Sequence, residues 1–346
     1  MKVGSIVYAT QSGLGILAKE FFDAGIIDTV LVEVENNKGL KTNATMFPGS
    51  KVIGPGGSAF TYGWSPKDAN TIDEFLDTID VFLAFEIPFY NKIIDELKKR
   101  NKPFVLMPMY ECTPPSILAD TYIAVSDLDK KYIQRFHPNS RVERINVPAH
   151  SKIVYRERSI ARTFVHNDGN GSSFDRNGTD DLLKSLKYVH SPIKLLIRSQ
   201  KRKHVSTDPR VEIINRSVPF EELWSEGDVF IFPERFNGLS LPIQEAFASG
   251  MPVMCGNRFP LNQWLPKDML IGIKESRIGN ILPNVPFNYA CYDHKVLAKN
   301  IDMWYNRDIT LYSQMGKAWA QENSWKKLKP QYLNILKEAI DGKYRQ

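Results

Sequence analysis

The most informative stretch of the chain is Gly227-Asp-Val-Phe-Ile-Phe-Pro-Glu-Arg-Phe-Asn237-Gly238-Leu239-Ser240-Leu241-Pro242-Ile-Gln-Glu245-Ala-Phe-Ala-Ser-Gly250-Met-Pro-Val253. The apolar run Val229–Phe232 reads as a buried strand and Val253–Cys255 as the next one. Between them lie a glycine-containing loop and a helix, Ile243–Ser249, with Pro242 in its first turn, where a missing N–H does little harm. The amides of Gly238, Leu239, Ser240 and Leu241 are expected to point off that helix N-terminus, a ready-made anion site. One turn further in, the carboxylate of Glu245 can accept two hydrogen bonds from a vicinal diol such as a ribose. A helix-capping loop followed by a surface glutamate fits the same residues equally well.

The same alternation runs outward in both directions, the signature of an α/β chain with parallel sheets. Strands are expected at Val3–Ala9, Thr29–Val34, Val81–Phe85, Phe104–Pro108, Thr121–Ala124 and Arg144–Val147. Helices are expected at Leu14–Ala24, Tyr90–Arg100 and from about Asp127. After a charged stretch near 150–158 the series restarts. Strands fall at Arg162–His166, Ile193–Arg198 and Val211–Ile214, and helices at Asp180–Val189 and Phe220–Glu226; residues 295–340 are largely helical. Two α/β halves with a cleft between them follow, the first covering 1–155 and the second 156–325. Residues 36–69 stand apart, a long aperiodic segment rich in glycine but carrying Tyr62 and Trp64, so a functional loop is expected there.

A length of 346 residues fits about two domains, and 42% hydrophobic with 24% charged residues excludes a disordered chain. Three cysteines, far apart, form neither a zinc-ligand spacing nor a disulfide framework, so a reducing cytoplasm is expected. No stretch approaches the ~18 apolar residues of a membrane span, and the apolar start is too short and too soon charged for a signal peptide. Residues 1–150 hold 16 basic and 18 acidic side chains, the remainder 29 and 21, so the net +6 charge sits in the second half. A small anionic ligand accounts for that asymmetry. Nucleic acid is the other polyanion it could serve, with the run Arg198-Ser-Gln-Lys-Arg-Lys-His204 and the aromatic loop as support.

Four other loops lie at strand ends. Gly13-Leu14-Gly15 follows the first strand; the third glycine of a dinucleotide fingerprint is absent, Ala18 standing there. Glu86 and Glu111 end strands of the first half. In the second half, Phe164-Val-His166-Asn-Asp-Gly-Asn-Gly-Ser-Ser-Phe-Asp-Arg176-Asn177-Gly-Thr-Asp181 reads as strand, loop and helix start. Arg176 is either a solvated loop arginine or an anion ligand, and His166 either a core histidine or a site residue.

The stretch from Gly238 to Val253 resembles the donor-site motif of the group-1 (family 4-like) retaining glycosyltransferases, Glu-Gly-Phe-Gly-Leu-Pro-x-x-Glu-Ala followed by Gly and Pro-Val. Residues 164–181 are similar to that family's His-Asn-x-Gly and Arg-Lys-Gly-Thr-Asp-Leu segment, and Ala318–Trp325 to its closing helix. The likeness covers most of 160–340 and is weak over 1–150. It implies a GT-B fold: two Rossmann-like domains with parallel sheets facing across a cleft, and a C-terminal helix, about 326–346, packing back on the first. It also implies sugar transfer from a nucleotide-diphosphate sugar to a hydroxyl, with retained anomeric configuration. No metal and no other cofactor are called for.

On this resemblance the catalytic residues are Glu111, Arg176 and Asn237, the last standing where the family has a glutamate beside the transferred sugar. The donor would meet Gly13, Leu14, Gly15, Arg176, Arg198, Gly238, Leu239, Ser240, Leu241 and Glu245. In the family an arginine–lysine pair meets the diphosphate; here Asn177 replaces the lysine and Arg198 is expected to supply the second cation. The acceptor would meet Tyr62, Trp64 and Glu86. It is expected to be a saccharide, a glycoconjugate or a hydroxymethylated DNA base. A protein of this fold that binds nucleotide sugars without chemistry is the alternative, favoured by Asn237 and Asn177.

Overall fold

The structure is a computed structural model and describes residues 1–34, 42–54, 63–169, 175–200, 203–282 and 285–342, without the side chains of 280–282 and 285–286. Tyr62 therefore lies outside the described residues. The chain divides into two units, Met1–Val147 with Trp325–Gln346, and Pro148–Ser324.

The first unit is built from β1 (Val3–Tyr8), α1 (Gly13–Asp23), β2 (Thr29–Glu33), β3 (Lys51–Ile53), α2 (Ala69–Thr78), β4 (Val81–Phe85), α3 (Lys92–Lys99), β5 (Phe104–Met107), β6 (Thr121–Ala124), α4 (Asp127–Phe136) and β7 (Arg141–Arg144). All seven strands run parallel in the order β3-β2-β1-β4-β5-β6-β7. Strands covered on both faces read as continuous apolar runs, and Val81–Phe85 and Phe104–Met107 are wholly buried. Helix α1 starts where Ser12 caps it, accepting from the Gly15 N–H, and turns Leu17, Ala18 and Phe21 inward.

The second unit repeats the design with β8 (Thr163–Gly169), α5 (Thr179–Ser185), β9 (Lys194–Ser199), β10 (Val211–Ile214), β11 (Val229–Phe232), α6 (Leu241–Ala248), β12 (Val253–Gly256) and β13 (Leu270–Ile271). Its six parallel strands are ordered β10-β9-β8-β11-β12-β13. An antiparallel hairpin, β14 (Glu275–Leu282) and β15 (Val285–Cys291), follows, and then helices α7 (His294–Trp304) and α8 (Thr310–Glu322). The final helix, α9 (Trp325–Ile340), belongs to the first unit. There Trp325 and Tyr332 pack edge-on to Phe21, at 5.1 and 4.9 Å between ring centres, and the Tyr332 hydroxyl donates to the Asn146 carbonyl.

Before β8 the chain is tied down by Arg158, which is 4% exposed. Its guanidinium donates to the carbonyls of Gly227 (2.9 Å), Arg156 (2.8 Å), Ser249 (2.5 Å) and Trp224 (2.7 Å). Burial, with the nearby Arg156 charge, pulls its pKa down to about 10, so it remains a cation at neutral pH.

Two local expectations change. The last strand of the first sheet is Arg141–Arg144, and residues 145–147 only continue from it. The segment expected to be one aperiodic loop contains strand β3, which joins the sheet edge by pairing Leu31–Glu33 with Lys51–Ile53. Helix α2 and the β14–β15 hairpin carry no signal strong enough to be read from the sequence. Among the described residues no helix is long and apolar enough to cross a membrane, and none of Cys112, Cys255 and Cys291 forms a disulfide.

Candidate functional site

In a doubly wound sheet the loops after the two central strands leave toward opposite faces, and ligands bind in the crevice between them. In the second sheet those strands are β8 and β11. The loop after β8 brings Arg176; the loop after β11 carries residues 233–240 into the N-terminus of α6.

These two loops are stitched together. The Arg235 N–H donates to the Arg176 carbonyl at 2.7 Å, and Arg176 Nε donates to the Phe236 carbonyl at 3.2 Å. The Arg176 guanidinium lies over the Phe236 ring at 4.9 Å, and Arg235 Nε reaches the Asp175 carbonyl at 3.1 Å. Gly178 makes this approach possible. Its φ is +74°, and a Cβ there would stand 2.1 Å from the Pro233 carbonyl oxygen. Arg176 is thereby fixed one residue from the turn that opens α6, and Glu245, itself buried, lies one turn into that helix.

The turn differs from the expected fan of free amides. Asn237 Oδ1 accepts from the N–H groups of Leu239 (3.2 Å) and Ser240 (2.9 Å), so two of the four amides are already used. Asn237 is an Asx turn residue in this chain, and its carbonyl side is committed to the backbone. Ser240 takes a left-handed conformation, φ 52° and ψ 57°, just before the first residue of α6. Its hydroxyl donates to Oε1 of Glu234, which is fully buried and also paired with Arg258 Nη2; Arg258 Nη1 donates to the Asn237 carbonyl at 3.0 Å. The Tyr292 hydroxyl holds the Glu234 carbonyl at 2.7 Å. Nothing in the local sequence announces Arg258; only the tertiary fold brings it here.

Arg198 departs from expectation. It is 5% exposed, its guanidinium donates to the Leu223 carbonyl, and Glu226 lies 3.5 Å away. Burial lowers its pKa against the pull of the Glu226 and Glu222 carboxylates. Its cation is thus spent on the turn before β11, and no bond joins it to the Arg176 loop among the described residues. Asn177 likewise turns inward, donating to the Asp168 carbonyl at 2.7 Å.

His166 is a core histidine. It is fully buried, with Nδ1 against the Ile231 carbonyl (2.9 Å) and Nε2 against the Thr179 hydroxyl (2.7 Å). That hydroxyl reaches Asp168 Oδ1 at 2.8 Å, and Asp168 Oδ2 meets Ser199 (3.0 Å) and His204 Nε2 (2.9 Å). Burial drives the His166 pKa down. Burial opposes the charge of Asp168, but the bonds from His204 and Thr179 outweigh it and hold that carboxyl low. This network ties β8, β9 and the start of α5 together beneath the Arg176 loop. Both ends of the basic run 198–204 are thus buried, His204 in this network and Arg198 against the Leu223 carbonyl.

In the first unit the corresponding central strands are β1 and β4. Gly15 is required by packing: a Cβ would lie 2.1 Å from the Thr10 carbonyl oxygen, and its N–H faces Ser12 Oγ. Gly13 and Leu14 open α1. Glu86, at the end of β4, has φ +61°, a strained conformation for a non-glycine residue, held by its N–H to the Met107 carbonyl and its carbonyl to the Thr113 hydroxyl. Glu111 is buried, 2% exposed. Beside it sequence reasoning missed Asp129, whose Oδ1 accepts from the Tyr110 N–H at 3.0 Å. Burial, with the Glu111 charge nearby, pushes Asp129 up to about 7. Trp64 stands edge-on to Tyr90 at 6.0 Å, with the Lys92 ammonium 4.4 Å over its ring.

No protein-family model matches the sequence, and no curated protein matches it. Solved structures do match. HepE of Anabaena, in complex with UDP and glucose, is similar over 98% of this chain and 100% of its own, with TM-score 0.68 at 11% identity. A glycosyltransferase of Rickettsia africae matches over 98% of each chain, with TM-score 0.67 at 14% identity. Sucrose-phosphate synthase of Thermosynechococcus elongatus matches over 99% of this chain and 100% of its own, with TM-score 0.64 at 14% identity. Likeness at such identity shows the fold: two Rossmann-like parallel-sheet units, as in the GT-B glycosyltransferases.

Proposed function

We propose that this chain is a glycosyltransferase that takes a nucleotide-diphosphate sugar on its second unit and transfers the sugar to a hydroxyl acceptor held by its first. The observation that carries this reading is the stitching of Arg176 to the turn that opens α6, at the switch point of the second sheet. A guanidinium beside a helix N-terminus suits a diphosphate, because charge building on the leaving group is what such a transition state must have stabilised. Glu245, in the first turns of the same helix, suits the ribose diol. That HepE was solved with UDP and glucose supports a uridine nucleotide as the first donor to try.

Transfer proceeds with retention. The acceptor oxygen bonds to the anomeric carbon on the face from which the phosphate oxygen leaves, and that phosphate oxygen takes the acceptor proton. Arg176 and the N-terminal end of α6 meet the charge of the departing diphosphate. Glu111 and Glu86 orient the acceptor, with Trp64 as a platform. A saccharide or glycoconjugate acceptor is preferred over a DNA base, because Arg198 and His204 of the basic run are buried. Cysteines that form no disulfide among the described residues suit a reducing compartment.

The test is a thermal-shift panel of nucleoside diphosphates and nucleotide sugars, then donor hydrolysis measured for each. A bound donor raises the unfolding midpoint by mass action. A wild-type midpoint that no member moves, with no hydrolysis, sinks the enzyme reading in favour of a GT-B scaffold. Salt-sensitive retention on duplex DNA would replace the saccharide acceptor with a DNA base.

A further inference from the structure

Ser240 is the one residue of the α6 turn whose backbone pays a steric penalty. Left-handed geometry suits glycine, and a residue with a Cβ holds it only where its surroundings force it. The surroundings are a buried ion pair. Glu234 is fully buried, its Oε1 takes both the Ser240 hydroxyl and Arg258 Nη2, and its Oε2 has no hydrogen-bond partner among the described residues. A buried pair of this kind is weak evidence for stability, since desolvation opposes the attraction, and an orphaned carboxylate oxygen makes it worse. Glycine at 240 over an apolar pair would satisfy the fold at less expense. What the arrangement does achieve is geometric. Arg258 grips the Glu234 carboxylate with one nitrogen and the Asn237 carbonyl with the other, so the start and the end of the turn are held from one guanidinium. Tyr292 fixes the Glu234 backbone from behind.

We infer that Glu234, Ser240 and Arg258 are positioning residues for the donor diphosphate: a buried brace that holds the Asn237–Leu241 turn, and with it the start of α6, in place beside Arg176. The inference rests on the donor-site reading above. None of the three need touch the ligand. They act through the turn, and a misplacement of about 1 Å in a site of this kind costs on the order of 100-fold.

The experiment measures nucleoside-diphosphate affinity by calorimetry on the whole chain, with UDP, GDP and ADP as probes, for the wild type, Ser240→Ala, Ser240→Gly, Glu234→Gln and Arg258→Lys. Unfolding midpoints and donor kinetics are recorded on the same samples. Ser240→Ala and Arg258→Lys are expected to bind the preferred diphosphate roughly 10- to 100-fold more weakly. KM for the donor should rise while kcat at saturation stays within about threefold, the split expected of residues that act before chemistry. Glu234→Gln keeps an oxygen for Ser240 but removes the charge that faces Arg258, and should fall between. Ser240→Gly should return to within about threefold of the wild type, because glycine accepts φ near +52° unaided. Should Arg258→Lys not fold, the alanine and glycine variants at 240 carry the test. Wild-type affinity in Ser240→Ala overturns the brace and leaves the donor site standing. Equal loss in the alanine and glycine variants overturns it too, since a hydroxyl that touched the ligand would behave that way. A wild type that binds none of the three probes overturns the donor-site reading and the brace with it.

Discussion

The backbone N–H of Arg235 donates to the carbonyl of Arg176 at 2.7 Å, so the loops after the two central strands of the second sheet are joined main chain to main chain. The bond is made by main chain on both sides, and a change of the Arg176 side chain leaves it intact. Arg176→Ala should therefore keep the loop and lose the cation. Turnover should fall about 100- to 1000-fold with little change in melting. Arg176→Lys should recover only part of this, because a lysine lacks the planar fork and the stack on Phe236. Steady-state kinetics with the preferred donor checks both, and wild-type turnover in Arg176→Ala would remove it from the site.

Gly178 is expected to tolerate nothing larger. Alanine there meets left-handed strain and a carbonyl oxygen 2.1 Å from its Cβ, so the two loops must part. Destabilisation of about 2–5 kcal/mol should follow, with loss of diphosphate affinity. Gly169, whose φ is +60° but whose Cβ would meet nothing within 4 Å among the described residues, provides the contrast. Alanine there should show the strain alone, about 1–2 kcal/mol. Denaturant unfolding of both variants separates the clash from the strain.

Arg158→Met should destabilise the second unit by about 3–5 kcal/mol, because it leaves buried carbonyls of residues 224, 227 and 249 without their charged donor. The methionine fills much of the volume, so packing loss is small. A melting midpoint within a degree of the wild type would show that water replaces the guanidinium at no cost.

Asp129 sets a pH dependence in the first unit. Its folded pKa, pushed up to about 7, lies above the unfolded value. Between pH ~4 and ~7 the folded state therefore holds more protons than the unfolded one, and stability contributed here is present at low pH and lost as pH rises through 7. Asp129→Asn cannot ionise. Relative to the wild type it should gain about 2–4 kcal/mol between pH 4 and 8. Chemical denaturation of both proteins across that range measures the gain, and parallel curves would refute the shift.

Much of the strand–helix alternation could be read from the chain, because parallel strands are buried on both faces and appear as unbroken apolar runs such as Phe230–Phe232. The location of Arg176 and of the α6 turn followed from the same strands. What stayed hidden depends on partners far away in sequence. Lys51–Ile53 is too short and too exposed at one edge to show a period, and becomes a strand only because β2 is there to pair with it. Arg198 has the composition of an anion ligand and the position of a strand end, yet the Leu223 carbonyl 25 residues later captures it. Asn237 stands where a sugar contact is expected, yet its Oδ1 accepts from two amides of its own turn. Arg258, 24 residues after Glu234, had no local signal at all.

Helix α9 has a consequence for the order of events during synthesis. Tyr332 and Trp325 complete the packing around Phe21, more than 300 residues earlier, whereas residues 148–324 form a unit uninterrupted in sequence. Domains generally fold as units while the chain emerges. The second unit can close as soon as its own residues are out. The first, though made earlier, keeps a side of its core open until the last helix arrives. The half of the molecule that is born first is thus the one that matures last, and nascent chains stopped before 325 should expose apolar surface around Phe21 to chaperones and proteases.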